Sequence, residues 1–211
     1  MARKAFPVVL SAPSGTGKTT LAHLLVNSVK DLHVSVSLTT RPMRGNEREG
    51  VDYQFVTQEE FKEKIAHNGF LEWANVHGNL YGSSREITER ALAEYKDVVF
   101  DIDVQGGLQI KKAMPNSVLI FIVPPSLVVL EERLRNRATE PEELIVQRLQ
   151  AARSEIDIGL NAYDFVINNE ILHRALFDLT AIIRTHRLMD IDREKIRKRL
   201  IGDSSINPLR R

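Results

Sequence analysis

The sequence predicts an α/β protein with a three-layer core built on a parallel sheet. Three observations carry that reading. Short apolar runs rich in branched residues are each followed by a helical pattern, the rhythm of βαβ units. The first run ends in a glycine-rich turn that opens directly onto a helical segment. A stretch over residues 37–81 breaks the rhythm and reads as a small mixed α/β insertion carried on the core.

Taken in order, residues 7–11 form the first strand and 18–30 the helix after it. Within the insertion, alternating segments at 52–56 and 70–76 flank one helix that opens at Thr57. Thr57 and Glu60 make a capping box, the hydroxyl and the carboxylate each satisfying an amide of the helix end. The runs at 97–103 (DVVFDID) and 117–123 (SVLIFIV) have the branched composition of strands buried on both faces. Helices follow them at 105–113 and 127–135. A second insertion falls near 137–143, where Thr139 and Glu142 offer another capping box and Pro141 suits a first helical turn. Residues 164–168 (DFVIN) make the last strand and 172–189 a closing helix. The charged tail, 190–211, reads as a solvated helix end with a frayed terminus.

Composition narrows the chemistry. The 211 residues include 29 Lys and Arg against 28 Asp and Glu, a net charge of +1 that asks for neither nucleic acid nor an anionic membrane. Without cysteine there is no disulfide framework, thiol nucleophile or zinc–thiolate site. The histidines, His23, His33, His67, His77, His173 and His186, lack metal-ligand spacing. The apolar run Phe6 to Leu10 is too short for the core of a signal peptide, and no stretch has the length of a membrane span. A cytoplasmic protein is expected, and a homo-oligomer is compatible with the sequence.

The turn at 11–20 (SAPSGTGKTT) lies between the first strand and the first helix. The phosphate-loop pattern G-x-x-x-x-G-K-[ST] cradles phosphates on backbone amides, while its Lys neutralises their charge and its hydroxyl binds Mg²⁺. Gly17, Lys18 and Thr19 match, and Ala12 replaces the first glycine. Alanine holds a left-handed backbone angle only at a cost, so Ala12 is expected at an ordinary one. The candidate ATP-binding residues are therefore Ala12, Pro13, Ser14, Gly15, Thr16, Gly17, Lys18, Thr19 and Thr20. A flexible turn with a solvated Lys18 is the bland alternative, and the strand–loop–helix context weighs against it. Asp101 and Asp103, two apart on a strand, are expected on one face at the C-terminal end, where α/β sheets bind ligands. They either end a strand in solvent or hold Mg²⁺ through water and orient phosphate-binding arginines.

Beyond the loop, several motifs follow in order, and together they resemble the guanylate kinase family over almost the whole chain. Segment 37–47 (SLTTRPMRGNE) is similar to the family's S-x-T-T-R-x-P-R-x-G-E, with Pro42 one position early and Gly45-Asn46 where x-Gly is usual. The segments 50–53 (GVDY), 70–73 (FLEW), 78–83 (GNLYGS) and 101–106 (DIDVQG) come next. Segments 133–137 (RLRNR) and 147–149 (QRL) resemble the family's lid, with Ala138 at a position usually glycine.

The resemblance implies a single kinase domain in three parts, closing around ATP and GMP with Mg²⁺. The core would span about 1–36, 84–136 and 159–211, the nucleoside-monophosphate-binding insertion 37–83, and the lid 137–158. Ser37, Glu72 and Ser83 would contact guanine, and Arg41, Arg44, Tyr53 and Tyr81 would hold the acceptor phosphate, with Glu47 in the same segment. Lys18, Arg137 and Arg148 would gather the transferring phosphoryl group. Thr19 would bind the metal, with Asp101 and Asp103 near it and the acceptor arginines. Physical chemistry asks for a similar set. The acceptor phosphate is already ionised near neutral pH, so the task is to bring two anions together and stabilise spreading charge. Planar arginine forks suit both jobs. Two rivals stay open: a non-catalytic binding module of the same fold, against which Lys18, Thr19, Arg137 and Arg148 argue, and a kinase for another acceptor such as a ribose bisphosphate, against which Ser37, Glu72 and Ser83 argue.

Overall fold

The computed structural model describes residues 4–76, 78–136, 141–189, 191 and 193–202. The chain begins β1 (Pro7–Ser11), α1 (Lys18–Ser28), β2 (Leu32–Val34), β3 (Leu38–Thr39), β4 (Gln54–Phe55) and α2 (Gln58–Ala66). It continues β5 (Phe70–Val76), β6 (Asn79–Ser84), α3 (Arg85–Ala93), β7 (Asp97–Asp101), α4 (Val104–Ala113) and β8 (Val118–Val123). It closes with α5 (Leu127–Arg135), α6 (Glu142–Ala162), β9 (Phe165–Asn168), α7 (Leu172–Met189) and α8 (Arg193–Ile201).

The central sheet has the order β2-β7-β1-β8-β9, with every neighbouring pair parallel. Because side chains alternate across a strand, β1 feeds both faces. Val8 and Leu10 pack with Leu21, Leu25, Leu179 and Ile183 from α1 and α7. Val9 packs on the other face with Phe100, Phe121, Ile110 and Tyr163, under α4 and the end of α6. That is the expected three-layer α/β core.

The insertion carries its own sheet, β4-β3-β6-β5, in which β3 and β4 are parallel and the other pairs antiparallel. Leu38, Phe61 and Phe70 form its small core, with α2 laid across it. The predicted capping box starts α2: the Thr57 hydroxyl accepts from the Glu60 amide at 3.1 Å, and the Thr57 amide donates to the Glu60 carboxylate at 2.7 Å.

Several expectations are corrected. The first helix ends at Ser28, because Val29 is extended. The strand expected over 97–103 ends at Asp101, and Asp103 becomes the N-cap of α4, accepting from the Gly106 amide at 2.8 Å. Glu142, the acidic half of the second expected capping box, is the first residue of α6, and its carboxylate pairs with Arg135. Thr139 lies outside the described residues. In the tail a further helix, α8, occupies residues 193–201.

Candidate active site

The C-terminal ends of β1 and β7 face a cleft of about 430 Å³, lined by residues 12–20 with Tyr53, Asp101, Asp103 and Glu155. The loop that floors it depends on two glycines in left-handed conformation, Gly15 and Gly17, each with φ of 93°. A Cβ on Gly17 would sit 2.9 Å from Asn169 Nδ2, so only glycine allows that approach. Ala12 is not among the residues with positive φ, as expected of a non-glycine at that position. The N-cap of α1 is Gly17 and supplies no side-chain cap, so the first helical amides face the cleft, the arrangement that binds phosphate.

Loop geometry is enforced from below. The Thr16 carbonyl accepts from Asn169 Nδ2 at 2.8 Å and from Arg133 at 3.3 Å. Tyr163 donates its hydroxyl to Ser11 Oγ at 2.7 Å, and Ser11 donates to the Asp103 carbonyl at 3.1 Å. Burial pushes the Tyr163 phenol up to about 12, so it stays a neutral donor. Over this floor, Lys18 Nζ donates to the Ile102 carbonyl and pairs with Asp101 Oδ1 at 2.8 Å. From the other side, α6 brings Arg148 to the loop, where it donates to Ser14 Oγ at 3.0 Å. Two turns along α6, Glu155 also faces the cleft. Burial and the Asp103 charge hold the Glu155 carboxyl above its ordinary range, against the pull of Lys18.

A second cavity, about 150 Å³, adjoins the first and is lined by Ser37, Tyr53, Glu72, Ala74, Val76, Tyr81, Asp101, Ile102 and Asp103. Tyr53, Asp101 and Asp103 are common to both. At its back Glu72 is only 6% exposed. Ser83, fully buried, donates to Glu72 Oε1 at 2.6 Å. Burial raises the Glu72 carboxyl above the ordinary 4.5, the Asp103 charge adds to it, and the hydrogen bonds from Ser83 partly offset both.

Beside the tyrosines lies Arg41, 6% exposed. It forks onto Glu47, with nitrogen–oxygen distances of 3.0 and 2.8 Å, and its Nε donates to the Tyr81 hydroxyl at 3.2 Å. Its guanidinium carbon lies 5.2 Å from the centre of the Tyr53 ring, within cation–π range. The Glu47 hydrogen bonds hold Arg41 above its ordinary pKa, and Arg41 with the Arg44 amide holds Glu47 below its own. Arg44 enters through that amide, which donates to Glu47 at 2.8 Å, and its side chain lines neither cavity. Arg137 lies outside the described residues.

The fold thus gathers the loop, Lys18 and both aspartates around one cavity, with Arg148 reaching the loop at Ser14, and Ser37, Glu72, Tyr53 and Tyr81 around the next. Thr19 lines the first cavity, and Asp101 and Asp103 line both; a hydroxyl and carboxylates are hard oxygen donors of the kind Mg²⁺ takes beside nucleotide phosphates. Four contributors went unpredicted: Glu155, Asn169, Arg133 and Tyr163. Asn169 directly follows the last parallel strand, at the sheet end where ligands bind, and that position was the available signal. Glu155 follows Arg148 by seven residues, which puts both on one face once the helix is known.

A cleft floored by a phosphate loop, sharing Tyr53, Asp101 and Asp103 with an adjoining cavity that Glu72 backs, has the form of a P-loop phosphotransferase site. Comparison with known proteins narrows this. The family model "Guanylate kinase" matches residues 4–186, and the chain belongs to the guanylate kinase family. It is 53% identical over 182 residues to the guanylate kinase of Anaeromyxobacter dehalogenans, covering 86% of this chain and 80% of that one. To the Myxococcus xanthus guanylate kinase it is 49% identical over 180 residues, covering 85% and 86%. The crystal structure of guanylate kinase from Anaplasma phagocytophilum superposes with a TM-score of 0.73 at 31% identity, over 96% of this chain and 98% of that one.

Proposed function

We propose that the chain is a guanylate kinase that moves the terminal phosphoryl group of ATP onto GMP, yielding ADP and GDP. What supports this most is that a loop-floored cleft and a carboxylate-backed cavity meet at Tyr53, Asp101 and Asp103. ATP phosphates lie on backbone amides of the loop over residues 14–20, Pro13 having none to offer, with Lys18 and Arg148 drawing charge from the moving group. Arg137, assigned to the lid by resemblance, joins them. Mg²⁺, held by Thr19 with Asp101 or Asp103 through water, supplies charge neutralisation of the donor phosphates when bound.

The acceptor lies with its base against Glu72 and its phosphate toward Arg41, Arg44, Tyr53 and Tyr81. Guanine presents N1–H and the exocyclic amine side by side, and one carboxylate accepts both. Each carboxylate oxygen has two lone pairs, so the Ser83 bond leaves that capacity intact and fixes the rotamer. Ser37, on the wall of the same cavity, donates to O6. Glu47 orients the Arg41 fork at the edge of the site. Residues 37–83 and the lid, 137–158, close over the core so that water does not compete for the phosphoryl group. The enzyme works in the cytoplasm on free nucleotides, without nucleic acid or membrane, and its near-neutral charge supports that. Among the described residues no helix is long and apolar enough to cross a membrane.

The test is phosphoryl transfer from ATP to GMP, AMP and ribose bisphosphate side by side. Transfer to GMP alone at high efficiency is expected. Preference for ribose bisphosphate would replace the acceptor, and transfer to none would leave a binding module.

A further inference from the structure

Strand β5 is the outer strand of its sheet, so alternate backbone groups along it have no partner strand. Trp73 is one such residue, and its edge is occupied by a side chain. The Trp73 amide donates to Gln109 Oε1 at 3.2 Å, and Gln109 Nε2 donates to the Trp73 carbonyl at 3.4 Å. A single carboxamide thus does what a neighbouring strand would do. Gln109 lies on α4, one turn beyond Gly106, so the two share a helix face. A Cβ at Gly106 would lie 3.3 Å from Glu72 Oε2, which puts the Glu72 carboxylate directly against that face. On the other side of Glu72 the register with β6 shifts between Phe70 and Glu72, so the ladder is irregular there.

We propose that Gln109 is a positioning residue for base recognition, clamping β5 to α4 so that the Glu72 carboxylate sits at one fixed depth in the acceptor cavity. A bulge precedes Glu72 and the clamp follows it, so the clamp compensates for the irregular ladder. The same helix carries Asp103 at its N-cap, which ties base depth to the phosphate wall through one rigid element. Recognition through two adjacent hydrogen bonds is sensitive to such placement, because a displaced carboxylate still accepts one donor but not both. The proposal rests on the reading of Glu72 as the group that selects guanine.

The test is Gln109→Met, which removes both bonds at an exposed helix position where Met is a good helix former. Specificity constants for GMP and AMP, and the KM for ATP, are measured in wild type, Gln109→Met, Glu72→Gln and the double variant. The expected result is a GMP-to-AMP ratio lowered about tenfold by Gln109→Met through a raised KM for GMP, corresponding to about 1.4 kcal/mol. The KM for ATP stays unchanged, and no further loss of the ratio appears in the Glu72→Gln background. An unchanged ratio in Gln109→Met, or an equal loss for GMP, AMP and ATP, would overturn the clamp. If Glu72→Gln itself leaves the ratio intact, the reading of Glu72 fails instead, and that outcome is separable because it does not involve Gln109.

Discussion

The two ends of β7 use aspartate in opposite ways. At its start, Asp97 is fully buried and closed off: the Phe6 amide donates to one oxygen at 3.2 Å and Arg187 Nε to the other at 2.8 Å. Arg187 also donates to the Lys30 carbonyl at 2.8 Å, so this pair fastens α7 to the turn after α1. At the strand's end, Asp101 is partly exposed in the cleft and pairs with Lys18, whose ammonium faces the same space. One carboxylate is satisfied inside the protein; the other is held where a ligand can reorganise its partner. Charge at the first end serves the fold, and charge at the second faces the cleft of the proposed phosphoryl transfer.

Lys18→Met should separate the two most widely. Losing the ammonium at the donor phosphates is expected to lower kcat on the order of 10³-fold. Asp101 is partly exposed, so the unfolding midpoint should hold, as should the Kd for GMP. Near-normal turnover would break the assignment of this end to catalysis.

At the other end, Asp97→Ala should do the reverse. Removing one partner of a buried pair leaves Arg187 uncompensated, a loss of about 3 kcal/mol in denaturant unfolding. KM for both nucleotides should not move. A changed KM would show that the two ends are coupled through the strand.

How much of this was legible in sequence depends on how local the signal was. Branched runs and glycine spacing disclosed β1, β7, β8 and the phosphate loop, because a buried parallel strand and a left-handed turn each restrict residue type directly. Of the long helix α6 only the start, near Pro141, was legible: its buried residues are Ile145, Ala152 and Gly159, two of them small, so no broad apolar stripe marks its length. Its site residue Glu155 was hidden with it. The strand β3 is two residues, too short to show a period, and the alternation over 52–56 leaves only the two-residue β4. Asp103 was misplaced because a spacing of two suggests one strand face, whereas Asp is also a favoured N-cap and Val104 starts a helix. The fork between Arg41 and Glu47 is set by a loop fold that no pattern of residue types specifies.

A smaller effect sharpens the comparison through pH. Burial raises the Glu72 pKa in the folded chain above its unfolded value, so the folded state binds that proton more tightly. Its contribution to stability is therefore complete below pH 4.5 and is lost as pH rises through the folded pKa. Guanine's donors favour the ionised carboxylate, so GMP affinity should rise with pH through that same range and then level off. The slope is at most about tenfold per pH unit for one proton. Trp73, the chain's one tryptophan, adjoins Glu72 and offers a fluorescence readout. AMP carries the same phosphate and serves as the control, and equal pH profiles for the two nucleotides would remove Glu72 from the base site.

The smallest effect is motion. Scattering should give a slightly smaller radius with a bisubstrate analogue than with the free protein, and identical profiles would count against closure of the insertion and lid.

The most direct test compares kcat/KM for GMP and AMP in the wild type and Glu72→Gln at fixed ATP. Charge-assisted hydrogen bonds contribute roughly 1.5–3 kcal/mol each, so two of them, replaced for AMP by a buried mismatch, give wild-type discrimination on the order of 10⁴. Glutamine accepts one guanine donor and turns its own amine toward the other. Activity on GMP should therefore collapse while activity on AMP falls far less, and the ratio should narrow sharply. An unchanged ratio in a folded Glu72→Gln protein would contradict the assignment of the second cavity to guanine.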